Sequence, residues 1–199
     1  MDEGYIKFNC HWIKADPLPG EMLNELNSWR QKLYDLGLIG MYDNGIGFGN
    51  LSIRHPAQGF VITGSATGGL PILDERHFVW VNAFDLEQNS LECRGPVIAS
   101  SESLSHAVIY QASPETQAVI HVHHPQAWNF LIEKFPTTGI EVSYGTPAMA
   151  REILLIFRES ALEKEKILLM GGHPEGIITF GHSLDDAGEM LLKHLKDFL

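Results

Sequence analysis

A chain of 199 residues with 44% apolar and 20% charged residues has the length and balance of a folded globular protein, and one domain spanning residues 1–199 is expected. The formal net charge of −11, with 14 basic residues scattered and none in a run, argues against the basic face of a nucleic-acid binder. No apolar run approaches the ~20 residues needed to span a bilayer.

The start, Met1-Asp2-Glu3-Gly4, is acidic and lacks the basic-then-apolar order of a secretion signal, so a cytoplasmic protein without a membrane partner is expected. Cys10 and Cys93 are too few and too isolated for a disulfide framework or a cysteine-rich zinc site, and read as reduced, buried thiols. Any metal must therefore be held by histidine and carboxylate.

In chain order, Met22, Leu26, Trp29, Leu33 and Leu36 recur in steps of four and three, which predicts a helix over 21–36 with Gly37 as its stop. Short β-like runs follow at 50–53, 60–63 and around 78–81. The pattern turns helical from Ser101 to about Ala112, alternates in strand fashion from Gln117 to His123, and becomes helical again from Pro125 to roughly Phe135. Thr146-Pro147 pairs a capping residue with proline at the first helical position and opens a helix through Phe157. Ile167 to Met170 and Ile177 to Phe180 read as buried strands. Ser183 caps a last helix whose stripe is Leu184, Ala187, Leu191, Leu195 and Phe198. This mixture lacks regular βαβ alternation and favours a largely antiparallel central sheet covered by helices.

The chemistry concentrates in Ser100-Ser101-Glu102 and His121-Val122-His123-His124-Pro125. Residues two apart on a strand share a face, so His121 and His123 can aim both imidazoles at one ion while Val122 turns into the core. Imidazole suits zinc and other first-row divalent ions, and a catalytic site commonly uses three protein ligands with one position open. His173, at a strand-to-turn junction, is a natural third ligand; the alternative reading is a plain turn histidine before Pro174. His124 reads as a cap for the helix opened by Pro125. His106, one helical turn after Glu102, could orient that carboxylate.

Glu102, His106, Tyr110 and then His121-Val122-His123 resemble the class II aldolase/adducin family, in which a glutamate opening a helix precedes a His-x-His strand. Gly49-Asn50-Leu51-Ser52, the apolar strand ending in Thr63-Gly64, and Gly181-His182-Ser183-Leu184 with Ala187 also resemble family segments in the same order. The resemblance implies an α/β, α+β-like three-layer fold of the class II aldolase/adducin type and a homotetramer with sites at the subunit contacts. It implies a divalent ion, most simply zinc, on His121, His123 and His173, with Glu102 as acid/base. Gly49, Asn50, Thr63, Gly64, Ser100 and Ser101 would hold the phosphate of a sugar-phosphate substrate.

The implied activity is that of an aldehyde-lyase, cleaving a small phosphorylated sugar or related hydroxy-ketone through a metal-stabilised enediolate. A dehydratase or epimerase using the same site, and a non-catalytic adducin-like assembly module, are the alternatives. Where the family has His-Gly after the late strand, this chain has His173-Pro174-Glu175-Gly176, which leaves His182 as the other possible third ligand. The Thr-Gly segment is likewise expanded, so Thr67 and Gly68 are the alternative anion pair.

Overall fold

The computed structural model describes residues 5–199; the acidic start Met1–Gly4, on which the reading of no secretion signal rests, lies outside the described residues. The strands are β1 (Asn9–Lys14), β2 (Gly40–Met41), β3 (Gly47–Phe48), β4 (Asn50–Arg54), β5 (Phe60–Thr63), β6 (Phe78–Asp85), β7 (Ser90–Gly95), β8 (Ala118–His123), β9 (Ile167–Leu169) and β10 (Gly176–Gly181). The helices are α1 (Gly20–Asp35), α2 (Ser103–Ala112), α3 (Pro125–Leu131), α4 (Pro147–Glu159), α5 (Leu162–Glu165) and α6 (Leu184–Leu195).

Eight strands form one sheet in the order β1-β7-β6-β5-β4-β8-β10-β9, and β2 pairs with β3 in a separate hairpin. Every pairing in the large sheet is antiparallel except that of β1 with β7. The fold is thus a mixed α/β one with a large central sheet flanked by helices.

Strand alternation divides the core between the two faces. Ile62, Val79, Val119 and Ile178 pack on one side with Leu104, Val108, Met149 and Ile153 of α2 and α4. Val61, Ile120, Val122 and Ile177 pack on the other with Leu26, Leu33, Leu184 and Leu191 of α1 and α6. His121 and His123 share the period of Val119 and therefore project on the α2 side, away from Val122.

Three local readings change. The buried face of α1 is Leu23, Leu26, Trp29, Arg30 and Leu33, so the stripe is rotated from the expected one: Met22 is half-buried and Leu36 exposed. The third helix ends at Leu131 rather than near Phe135, because Thr137 and Thr138 are drawn towards β9. Cys10 and Cys93 are free but not isolated, since pairing of β1 with β7 brings their sulfurs to 3.5 Å, and Cys10 is only half-buried. Among the described residues no helix is long and apolar enough to cross a membrane.

Candidate metal centre

Nε2 of His123 lies 3.1 Å from Nε2 of His121 and 3.0 Å from Nε2 of His173. All three residues are buried, and they form a group whose ligand atoms could hold one metal ion. The sheet positions two of them: His121 sits opposite Asn50 of β4 and Ile178 of β10, and His123 opposite Gly176. His173 arrives from the turn between β9 and β10, closed by His173 N–H donating to the Met170 carbonyl and Gly176 N–H to that of His173. Gly176 makes the convergence possible, since a Cβ there would sit 2.7 Å from the His173 ring and 3.2 Å from that of His121.

The donor set fits a divalent cation. Burial pushes the His121 imidazole down to about 4, with partial opposition from its bond to the Ile177 carbonyl. Burial, with repulsion from neighbouring histidines, holds His123 and His173 well below the ordinary histidine value; Lys7 adds to the effect at His173. Neutral imidazole is the form that ligates.

Tautomers are set from behind. The Ile177 carbonyl can only accept, so His121 carries its proton on Nδ1, 3.3 Å away, and offers the Nε2 lone pair to the cluster. Nδ1 of His123 lies 2.7 Å from the Tyr42 hydroxyl, which donates to Oε2 of Glu175 at 2.7 Å. With the phenolic proton committed to the carboxylate, the Tyr42 oxygen accepts from His123 Nδ1–H, and His123 Nε2 also presents a lone pair. A cation between them satisfies both, whereas a proton on one nitrogen could serve only one neighbour.

Glu102 occupies the N-cap position of α2 and is buried. Its Oε2 accepts from the Ser105 hydroxyl at 2.8 Å. A cavity of about 210 Å³ is lined by Glu102 and all three histidines. His106 does not orient this carboxylate: its Nδ1 lies 2.7 Å from the Ser52 hydroxyl, which in turn meets the Tyr110 hydroxyl at 2.8 Å in the core.

Of the candidate anion-binding residues, Gly49, Asn50, Gly64, Ser100 and Ser101 line the same cavity. Thr63 does not. It is buried in β5, where its hydroxyl lies 3.4 Å from the Leu51 N–H, while Thr67 and Gly68 do face the cavity. His182 lies past the far end of β10, roughly 20 Å along the strand from the Gly176 end, and its Nδ1 donates to the Glu115 carbonyl at 3.2 Å. His124 caps α3 by accepting from Ala127 N–H at 3.3 Å.

The sequence reading missed four contributors. Tyr42 and Glu175 stand behind His123, Ser105 holds Glu102, and buried Arg30 donates to the Thr67 and Gly68 carbonyls at 3.0 and 2.9 Å, fixing the loop at the cavity wall. Two of them leave a trace in the sequence: Arg30 falls at a core position of the stripe Leu23, Leu26, Arg30, Leu33, and Ser105 follows Glu102 by three residues, the spacing that brings helix side chains together. Tyr42 and Glu175 act through contacts that spacing does not encode.

Residues 31–194 match the family model described as Class II Aldolase and Adducin N-terminal domain. Among solved structures, an L-fuculose 1-phosphate aldolase is 20% identical, with a TM-score of 0.67 over 92% of this chain and 86% of its own. The L-fuculose-1-phosphate aldolase of Thermus thermophilus is 21% identical, with a TM-score of 0.55 over 87% and 86%. YgbL of Escherichia coli is 16% identical, with a TM-score of 0.64 over 87% and 84%. No curated protein sequence matches significantly. The structural likenesses show the fold, and the family match spans most of the chain: it belongs to the class II aldolase and adducin N-terminal domain family.

Proposed function

We propose that this chain is a metal-dependent aldehyde-lyase of the aldolase type, acting on a small phosphorylated sugar or related hydroxy-ketone. His121, His123 and His173 are the ligands of a zinc ion, and Glu102 is the acid/base. One observation carries the reading: three buried, neutral imidazoles and a buried carboxylate face a single open cavity.

Three imidazole ligands suit zinc and leave a coordination position for substrate. When bound, the ion supplies Lewis-acid polarisation of substrate oxygens. The chain's own groups do the remainder. Glu102, held by Ser105, transfers a proton to or from the reacting carbon or hydroxyl. Asn50, Ser100, Ser101 and the backbone N–H groups of Gly49 and of residues 66–68 hold the phosphate, the N–H groups of Gly64 and Ser65 being committed to the His77 and Ile98 carbonyls, and glycine turns of this kind make good anion cradles.

A dehydratase or epimerase would use the same ligands and the same proton-transferring carboxylate, and YgbL is itself described with aldolase, epimerase and decarboxylase as alternatives. A purely assembling, adducin-like module has no use for the histidine cluster. The test is elemental analysis of the purified protein and its His121→Ala and His123→Ala variants, then incubation with phosphorylated ketoses and identification of the products. One zinc per chain, lost in both variants, with an aldehyde and a ketone phosphate released, supports the reading. Absence of stoichiometric metal from the unaltered protein sinks it, and a dehydrated or epimerised product reassigns the reaction. Sedimentation of the same samples tests for the homotetramer.

A further inference from the structure

We infer that Tyr42 and Glu175 are positioning residues of the metal centre, a carboxylate–phenol relay that fixes the tautomer and ring orientation of His123; the inference rests on the metal-binding reading above. The phenol bridges the two partners, with 2.7 Å on each side, while the direct separation of Glu175 Oε2 from His123 Nδ1 is 4.0 Å. The carboxylate therefore acts on the imidazole through the Tyr42 hydroxyl. Negative charge passed along such a bond raises the basicity of a ligating imidazole and holds its ring in place.

Two further features indicate that the relay is built. Tyr42 sits in the turn of the β2–β3 hairpin, and Phe48 of the same hairpin stacks on the His123 ring at 5.3 Å with the planes 25° apart. The hairpin thus grips the imidazole from two directions. Glu175 adopts φ +74, a left-handed conformation that disfavours any residue with a Cβ, although its neighbour in the turn is Gly176. A glutamate kept in a position suited to glycine is accounted for by what its side chain reaches. Its backbone does separate work, since the Glu175 carbonyl accepts from His124 N–H at 3.1 Å, and a glycine could do the same.

This arrangement predicts opposite signs for two measurements on one variant. Zinc affinity would be measured by competition with a chromophoric chelator, and the Co²⁺-substituted protein by its visible d–d absorption. The proteins compared are the unaltered chain, Tyr42→Phe, Glu175→Gly, Glu175→Gln and the ligand variant His121→Ala. Tyr42→Phe and Glu175→Gly are expected to bind zinc on the order of 10- to 100-fold more weakly, with an altered Co²⁺ spectrum. Metal-free Glu175→Gly is expected to melt no lower than the unaltered protein, because glycine relieves the left-handed backbone. Glu175→Gln keeps an acceptor for the phenol and should fall between.

Zinc binding by Tyr42→Phe and Glu175→Gly as tight as in the unaltered chain overturns the relay while leaving the metal centre standing, as does a metal-free Glu175→Gly whose weaker binding is matched by a lower Tm. An unaltered chain that binds no more zinc than His121→Ala overturns the metal centre itself, and the relay with it.

Discussion

The Ser105 hydroxyl donates to Oε2 of Glu102 across 2.8 Å, one helical turn into α2, between two buried residues. In the proposed reaction Glu102 transfers a proton, which requires its oxygens to be aimed, and this bond aims one of them. Ser105→Ala should therefore lower turnover roughly tenfold, the equivalent of one hydrogen bond to a charged group, while the metal content stays that of the unaltered protein. A variant with normal turnover would remove Ser105 from the mechanism.

Metal removal should destabilise the protein in proportion to how tightly the ion is held. A ligand present at a thousand times its Kd stabilises the folded state by about 4 kcal/mol, so dialysis against a strong chelator should lower the melting temperature by several degrees, and zinc should restore it. The His121→Ala variant should melt at the same temperature with and without chelator, which differential scanning calorimetry can check.

Arg30 is a cation in a place where apolar residues are expected. Burial pulls its guanidinium below the ordinary arginine value, and its compensation is the two short bonds to the Thr67 and Gly68 carbonyls on the cavity wall, with a longer one to the Pro71 carbonyl at 3.5 Å. Arg30→Ala should cost about 2–3 kcal/mol in urea unfolding, as two charge-assisted bonds and the packing of the side-chain stem are lost. Inorganic phosphate should protect the variant from unfolding less than it protects the unaltered chain, with zinc binding unchanged.

Asp186 accepts from His182 N–H at 2.9 Å and from the Lys166 ammonium at 3.0 Å. The backbone bond to His182, then the bond to Lys166, hold its carboxyl below the ordinary aspartate value against some desolvation. A carboxyl whose folded value is depressed contributes stability above its unfolded value, and loses it as the pH falls through the folded one. Asp186→Asn should thus cost about 1 kcal/mol near neutrality, a modest figure because the pair is partly exposed to solvent. The difference from the unaltered protein should close below the ordinary aspartate range, as thermal melts across pH would reveal.

Gly188 of α6 lies against the Trp29 ring of α1, where an added Cβ would come within 2.3 Å of the ring carbons. The same tryptophan donates to Asp185 at 2.8 Å and cannot swing away without losing that bond. Gly188→Ala should destabilise the protein by about 1–3 kcal/mol through overpacking, measured by chemical denaturation, with the metal centre intact.

Much of this was readable in the residues. Period-two alternation placed His121 and His123 on one face of a strand, and Thr146-Pro147 and Ser183 marked helix starts where the structure has them. These are local rules, set by φ/ψ geometry and by which side chain can reach the next backbone N–H. Strand β1 escaped the sequence reading, because its pairing with β7 joins segments some eighty residues apart and is specified by neither alone.

The composition of the site divides the same way. Sequence by itself determined that a His-x-His strand and a capped glutamate were available, and that any metal would fall to nitrogen and oxygen donors. Only tertiary structure decided that His173 joins the pair while His182 lies at the opposite end of β10, that Thr67 rather than Thr63 faces the cavity, and that Tyr42 and Glu175 meet behind His123. The physical reason is that ligand convergence depends on turns and strand order, which bring remote residues within a few ångströms through the packing of the whole sheet.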